Sequence, residues 1–152
     1  MLIIQISQFE TEDPEKHCRL GEALRLLRDE GVLIVGASIA MHNFKDLFPA
    51  LREADNFAVS MMARARLMNV GTWCHSIGLQ DAAGSKPEKR RENMMASKKR
   101  EDINVPHPTL EHLLPTYIAA GAAGEYVGEQ LWTTPQASIS WAQYRFGNVV
   151  ID

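Results

Sequence analysis

Leu2-Ile3-Ile4-Gln5-Ile6, then a segment opened by Asp13-Pro14 and closed by Gly31, then Val32-Leu33-Ile34-Val35-Gly36: residues 2–36 decide the fold. The two outer runs are short, apolar and rich in β-branched residues, the pattern of strands covered on both faces. Between them Asp13 is a helix cap with Pro14 at the first helical position. Leu20, Leu24 and Leu27, with Ala23, repeat at helical spacing and form one apolar stripe. Arg19, Arg25, Arg28 and Asp29 fall outside it, and His17 stands on its polar margin. Gly31 supplies the stop. Strand, helix and strand over so short a span predict a βαβ unit with parallel strands and a right-handed crossover, hence an α/β fold with a mostly parallel central sheet.

Working outward, 152 residues suit one domain spanning 1–152. A net charge of -3 argues against a general nucleic-acid binder. No apolar run approaches the length of a membrane span, and the first residues lack the basic region and long apolar core of a signal peptide, so a cytoplasmic protein is expected. Cys18 and Cys74 fit no metal or redox spacing and read as buried free thiols. An apolar β-type run that begins at the first methionine suggests a chain starting in mid-domain. Its uncovered neighbours would leave apolar surface exposed around the first strand, a route to a homo-oligomer.

Beyond Gly36, His42 lies on a loop past the carboxyl end of the second strand, where α/β sheets collect ligands. A helix is expected from Asn43, with Phe44, Leu47, Phe48 and Leu51 on one face. Another is expected around Met61, Met62, Ala65 and Met68, whose methionines fill core. His75 has no partner at metal-site spacing. Residues 86–102 mix both signs of charge and read as a solvated helix and loop rather than a phosphate patch. Residues 139–146 alternate like a final strand, with Trp141 or its neighbours on the buried side.

Two of the five histidines meet in Pro106-His107-Pro108-Thr109-Leu110-Glu111-His112-Leu113-Leu114-Pro115. Pro108 and Thr109 fit a helix start, Leu110, Leu113, Leu114, Tyr117 and Ile118 its apolar face, and Gly121 its end. His107 would sit on the incoming loop and His112 in the first turn beside Glu111. Neutral imidazole ligates divalent ions and titrates near neutrality, so the pair suits metal binding or proton transfer. The same residues also suit a cap and a packed side chain, and His42 equally suits a loop hydrogen bond.

Three segments together narrow the choice. They are Arg19-Leu20-Gly21 through Gly36-Ala37-Ser38 with His42-Asn43-Phe44, then His107 to Pro115 with Gly121-Ala122-Ala123-Gly124-Glu125, and Ser138-Ile139-Ser140-Trp141 with Tyr144-Arg145-Phe146-Gly147. Their order and spacing resemble the C-terminal half of class III extradiol ring-cleavage dioxygenases, in particular the 4,5-DOPA dioxygenase-like branch. The resemblance implies a three-layer sandwich, here an incomplete extradiol dioxygenase catalytic domain lacking its N-terminal part. It implies oxygenative cleavage of a catechol-type aromatic by dioxygen at one iron(II) or zinc(II) ion. His112 matches a metal ligand, His42 a proton shuttle or additional ligand, and His107 a catalytic, pocket-lining position; Glu111 is the weaker ligand candidate.

The family's other two metal histidines lie in motifs of the SHGxP and SAHW kind, which these 152 residues lack. His17 cannot replace them. Retained non-haem iron generally needs three protein groups, so the ion is not expected to stay on this chain alone. The alternative is a non-catalytic half-domain that completes itself by dimerising or by binding a partner.

Overall fold

The computed structural model describes residues 2–38, 41–42, 78–100, 103, 107, 109–133, 135–136 and 139–148, with backbone alone at 41–42, 135–136 and 139–140. Three α-helices are bounded here: α1 (Pro14–Leu24), which runs on into a 3-10 turn (Arg25–Arg28), α2 (Pro87–Lys98) and α3 (Leu114–Ala122). Residues 78–83 are also helical. Among the described residues five short strands accompany them: β1 (Met41–His42), β2 (Gly128–Trp132), β3 (Pro135–Gln136), β4 (Ile139–Ser140) and β5 (Gln143–Phe146). The helices predicted from Asn43 and around Met61, together with His75 and Cys74, lie outside the described residues.

The cap of α1 is as expected: the Asp13 side chain accepts a hydrogen bond from the Glu15 N–H at 3.0 Å, with Pro14 just inside. Gly31 closes the segment at φ 82. The buried face differs from the leucine stripe. Pro14, His17, Cys18 and Gly21 are buried, whereas Leu26 and Leu27 are exposed. The reason is the partner. α1 packs on α3 with backbone in contact with backbone, and only small residues allow that approach. A Cβ on Gly21 would lie inside contact distance of the Ile118 carbonyl and 2.8 Å from the Ala122 nitrogen. One on Gly121 would collide with the Cys18 carbonyl and stand 3.1 Å from the Glu22 nitrogen. Gly121 is thus a packing glycine inside α3, not its stop. The left-handed residue after the helix is Gly124, at φ 57.

The predicted βαβ pairing is not what these residues form. Residues 2–9 and 32–37 carry no strand assignment, and Leu2, Ile3, Ile4, Leu33 and Val35 are between 70% and 87% exposed. A strand exists only through the neighbour that completes its hydrogen-bond ladder, so apolar β-branched composition records a capacity rather than a pairing. The apolar surface expected around the first run is accordingly present. The described ladders are all antiparallel. Strand β4 lies between β1 and β3, with His42 opposite Ile139 and Gln136 opposite the same residue. Strand β2 pairs with β5, with Gly128 opposite Phe146 and an irregularity between Gln130 and Trp132. The architecture is a small mixed α/β chain.

A core of Leu79, Ala82, Met94, Ile103, Leu113, Tyr117 and Ala120 is flanked by Met95, Leu110, Tyr144 and Phe146. The final predicted strand is split at Trp141, which is exposed, while Tyr144 and Phe146 turn inward. The charged segment 86–102 does form a helix, yet Arg90, Met94 and Ser97 on α2 are buried. Arg90 donates to the carbonyls of Gly124, at 2.9 Å, and Tyr126, with its guanidinium over the Phe146 ring. Arg28 donates to the carbonyls of Ala122, Ala123 and Phe146, each at 2.9 Å, and lies over Tyr126. Arg28 therefore satisfies the carbonyl end of α3, where a cation is also favoured by the helix dipole, and Arg90 satisfies carbonyls of the turn that follows.

Candidate functional site

Proline explains the position of His112. Pro115 lacks an N–H and is favoured at the start of a helix, so α3 begins at Leu114 rather than near Pro108. Residues 110–114 form a tight turn before it, closed by the Leu113 and Leu114 N–H groups on the Leu110 carbonyl at 2.8 and 3.0 Å. His112 belongs to that turn, one step earlier than predicted. Its ring lies beside Ser38 and Glu111. Ser38 Oγ lies 2.9 Å from Nδ1, and Glu111 Oε1 lies 3.7 Å from Nε2. The His112 side chain is 37% exposed, so solvent and solutes reach it.

The loop that brings Ser38 there is clamped. A Cβ on Gly36 would be 2.6 Å from the Pro115 carbonyl oxygen, so the loop backbone rests directly on the first turn of α3. The second apolar run and the histidine segment thus meet end to end. Ser38 was legible only as part of the Gly36-Ala37-Ser38 motif. Its contact with a residue 74 positions away had no local signal.

The other imidazoles are placed differently. His107 is buried, and its backbone N–H donates to the Ile103 carbonyl at 3.0 Å. For His42 the backbone is described, on β1 opposite Ile139, and its side chain lies outside the described residues. His17, read as marginal, is fully buried: Nδ1 lies 2.7 Å from the Asp13 carbonyl and Nε2 accepts from the Phe9 N–H at 3.3 Å, with the Phe9 ring edge-on. Both nitrogens are engaged, so His17 is a structural histidine that fastens residues 2–12 to α1.

Among the described residues no three metal-ligating side chains gather at one point. The donor chemistry at His112 fits one corner of a divalent-ion site, because an imidazole nitrogen and a carboxylate oxygen 3.7 Å apart can face a common ion. A cavity of about 470 Å³ lies elsewhere, between α1, α2 and the end of α3. Its described lining includes Cys18, Glu22, Arg25, Arg90 and Glu125 but neither His107 nor His112. Burial pushes the Cys18 thiol up to about 11, which makes it a poor nucleophile. This cavity is therefore in a different place from the His107 and His112 imidazoles.

The chain is similar to curated proteins named as dioxygenases. It is 30% identical over 95% of its length to dioxygenase tasH of Hapsidospora irregularis, of which the match covers 44%. It is 26% identical over 97% of its length to the 4,5-DOPA dioxygenase extradiol of Portulaca grandiflora, covering 49% of that protein. The corresponding protein of Beta vulgaris is 29% identical over 81% of the chain and is covered to 40%. The chain thus spans under half the length of these curated relatives. No protein-family model and no solved structure matches it. Among the described residues no helix is long and apolar enough to cross a membrane.

Proposed function

We propose that this chain carries part of an extradiol ring-cleaving site, centred on His112, for metal-dependent oxygenative cleavage of a catechol-type aromatic. The observation that supports it is the Ser38–His112–Glu111 cluster at the head of α3, within a chain that matches dioxygenases over nearly all its length. His112 would hold one iron(II) or zinc(II) ion, with His42 as a further ligand or as the group that takes a catechol proton. A bound ion would supply open positions for the two catechol oxygens and for dioxygen. His107 would line the substrate side, and its burial suits a wall that excludes water. The apolar runs 2–6 and 32–36, which are not strands in this structure, would become strands of a mostly parallel sheet in a three-layer sandwich only where a neighbouring strand completes their ladders, in a cytoplasmic protein. The ion is expected to leave this chain readily when a chelator is present.

Oxygen uptake tests the proposal. The iron(II)-loaded chain should consume dioxygen with a catechol and turn it yellow, and His42→Ala should stop this. Uptake that persists unchanged in His42→Ala would refute the assignment.

A second reading has its own support. The exposed Leu2, Ile3, Ile4, Leu33 and Val35 favour a half-domain that completes itself against a second copy or a partner. Such a module would sediment as a dimer or complex, bind no ion and consume no oxygen.

A further inference from the structure

A backbone N–H can only donate a hydrogen bond, and a backbone carbonyl can only accept one. His17 stands between one of each. Its Nε2 faces the Phe9 N–H at 3.3 Å and its Nδ1 faces the Asp13 carbonyl at 2.7 Å. The neutral ring with its proton on Nδ1 satisfies both partners. The other tautomer and the imidazolium do not, because each sets an Nε2–H against the Phe9 N–H. The ring is fully buried, with the Phe9 ring edge-on at 5.3 Å between centroids.

The charged and titratable groups around it are committed elsewhere or turned to solvent. The Asp13 carboxylate caps the Glu15 N–H, and Glu15 and Glu22 pair with Arg91 of α2. Arg90 of α2 is held on the carbonyls of Gly124 and Tyr126. Burial keeps the neighbouring Cys18 thiol protonated. The titratable residue of α3 is Tyr117, whose hydroxyl is hydrogen-bonded to Ser97. Glu10, Glu12 and Lys16 are exposed. Among the described residues no carboxylate pairs with the His17 ring, so a second proton on it would be a buried charge without a counter-ion.

We infer that His17 is an acid-opened latch, which holds residues 2–9 to α1 while its ring is neutral and releases them when the ring takes a second proton. Proton and release are coupled. Once the Phe9 bond opens, water reaches Nε2 and solvates the charge, so the open state binds one proton more than the latched state. Opening is then favoured by up to about tenfold for each pH unit below the range where free imidazole titrates, about 6.5. The bond to Asp13 is spared, since Nδ1 carries its proton in both states, and α1 stays folded. The segment released carries the exposed Leu2, Ile3, Ile4 and Ile6, so acid loosens the apolar run with strand-forming capacity. None of this depends on His112 or on a metal.

Amide hydrogen exchange of the whole chain, read residue by residue and corrected for the intrinsic rate at each pH, tests the latch. Protection of the Phe9 amide should fall by up to about tenfold per pH unit below about pH 6, while the Gly21 and Glu22 amides within α1 keep theirs. His17→Gln offers an acceptor and a donor but no titrating nitrogen, so its Phe9 protection, whatever the level, should not vary over the same range. His17→Ala should lose the protection at every pH. Phe9 protection that is flat in the wild type, a fall shared by the α1 amides, an equal fall in His17→Gln, or protection kept in His17→Ala would each overturn the latch. Should His17→Gln fail to fold, the wild-type contrast between Phe9 and Gly21 decides alone.

Discussion

The contact between α1 and α3 allows a prediction whose sign is decided by competing magnitudes. Replacing Gly121 by alanine adds one methyl group inside a helix, and helix propensity alone would stabilise the protein by roughly 0.5–1 kcal/mol. The new Cβ would meet the Cys18 carbonyl and stand 3.1 Å from the Glu22 nitrogen. Neither is the end of a side chain that can swing away, so the helices themselves must separate. Overpacking of this kind costs typically about 1–3 kcal/mol, at its upper end where backbone blocks relief.

The packing effect wins, with a net destabilisation of about 2 kcal/mol. At roughly 2–4 °C per kcal/mol for a chain of this size, the melting temperature should fall by about 4–8 °C. Gly21→Ala, whose Cβ would meet the Ile118 carbonyl, should behave alike. The double substitution should cost less than the sum, because the separation forced by the first methyl already makes room for the second. Thermal unfolding followed by far-ultraviolet circular dichroism measures all three. A Gly121→Ala protein that melts at or above the wild-type temperature would refute the packing argument, leaving propensity as the stronger effect.

Other outcomes follow from particular contacts. Arg28→Lys keeps the charge but loses the planar fork that reaches three carbonyls, and should cost about 2 kcal/mol in urea unfolding. The hydrogen bond from Arg91 holds the Glu15 carboxyl below its usual value, so its stabilisation is present above the unfolded-state value and is lost as pH falls through the lowered one. Glu15→Gln should therefore destabilise the protein at neutral pH, by no more than about 1 kcal/mol in urea unfolding for so exposed a pair, with the difference vanishing in acid. Leu33→Ser combined with Val35→Ser should cut the fluorescence of a bound hydrophobic dye while moving stability by less than about 0.5 kcal/mol, since both side chains are exposed. Unchanged dye binding would count against an apolar surface there.

What could be read from the residues was local. Asp13 and Pro14 announce a helix start through their own backbone geometry, and Gly31 its end, so these needed no tertiary knowledge. The apolar runs 2–6 and 32–36 were legible as strand-like, but pairing depends on a neighbour that composition does not name. Gly121 had two meanings, a stop or a close approach, and only the position of α1 chooses between them. The leucine stripe misled for the same reason: the partner helix came too near for leucines and selected Gly21 and Cys18 instead. At the candidate site, chemistry pointed to His112 and its motif, whereas Ser38 needed the loop-to-helix contact to be seen.

Whether His112 holds an ion is decided by titrating zinc(II) into the wild type, His112→Ala and His42→Ala in a calorimeter. The wild type should take up one equivalent that a chelator removes, His42→Ala should retain much of it, and His112→Ala should take up none. Equal uptake by the wild type and His112→Ala would contradict a metal site built on the head of α3.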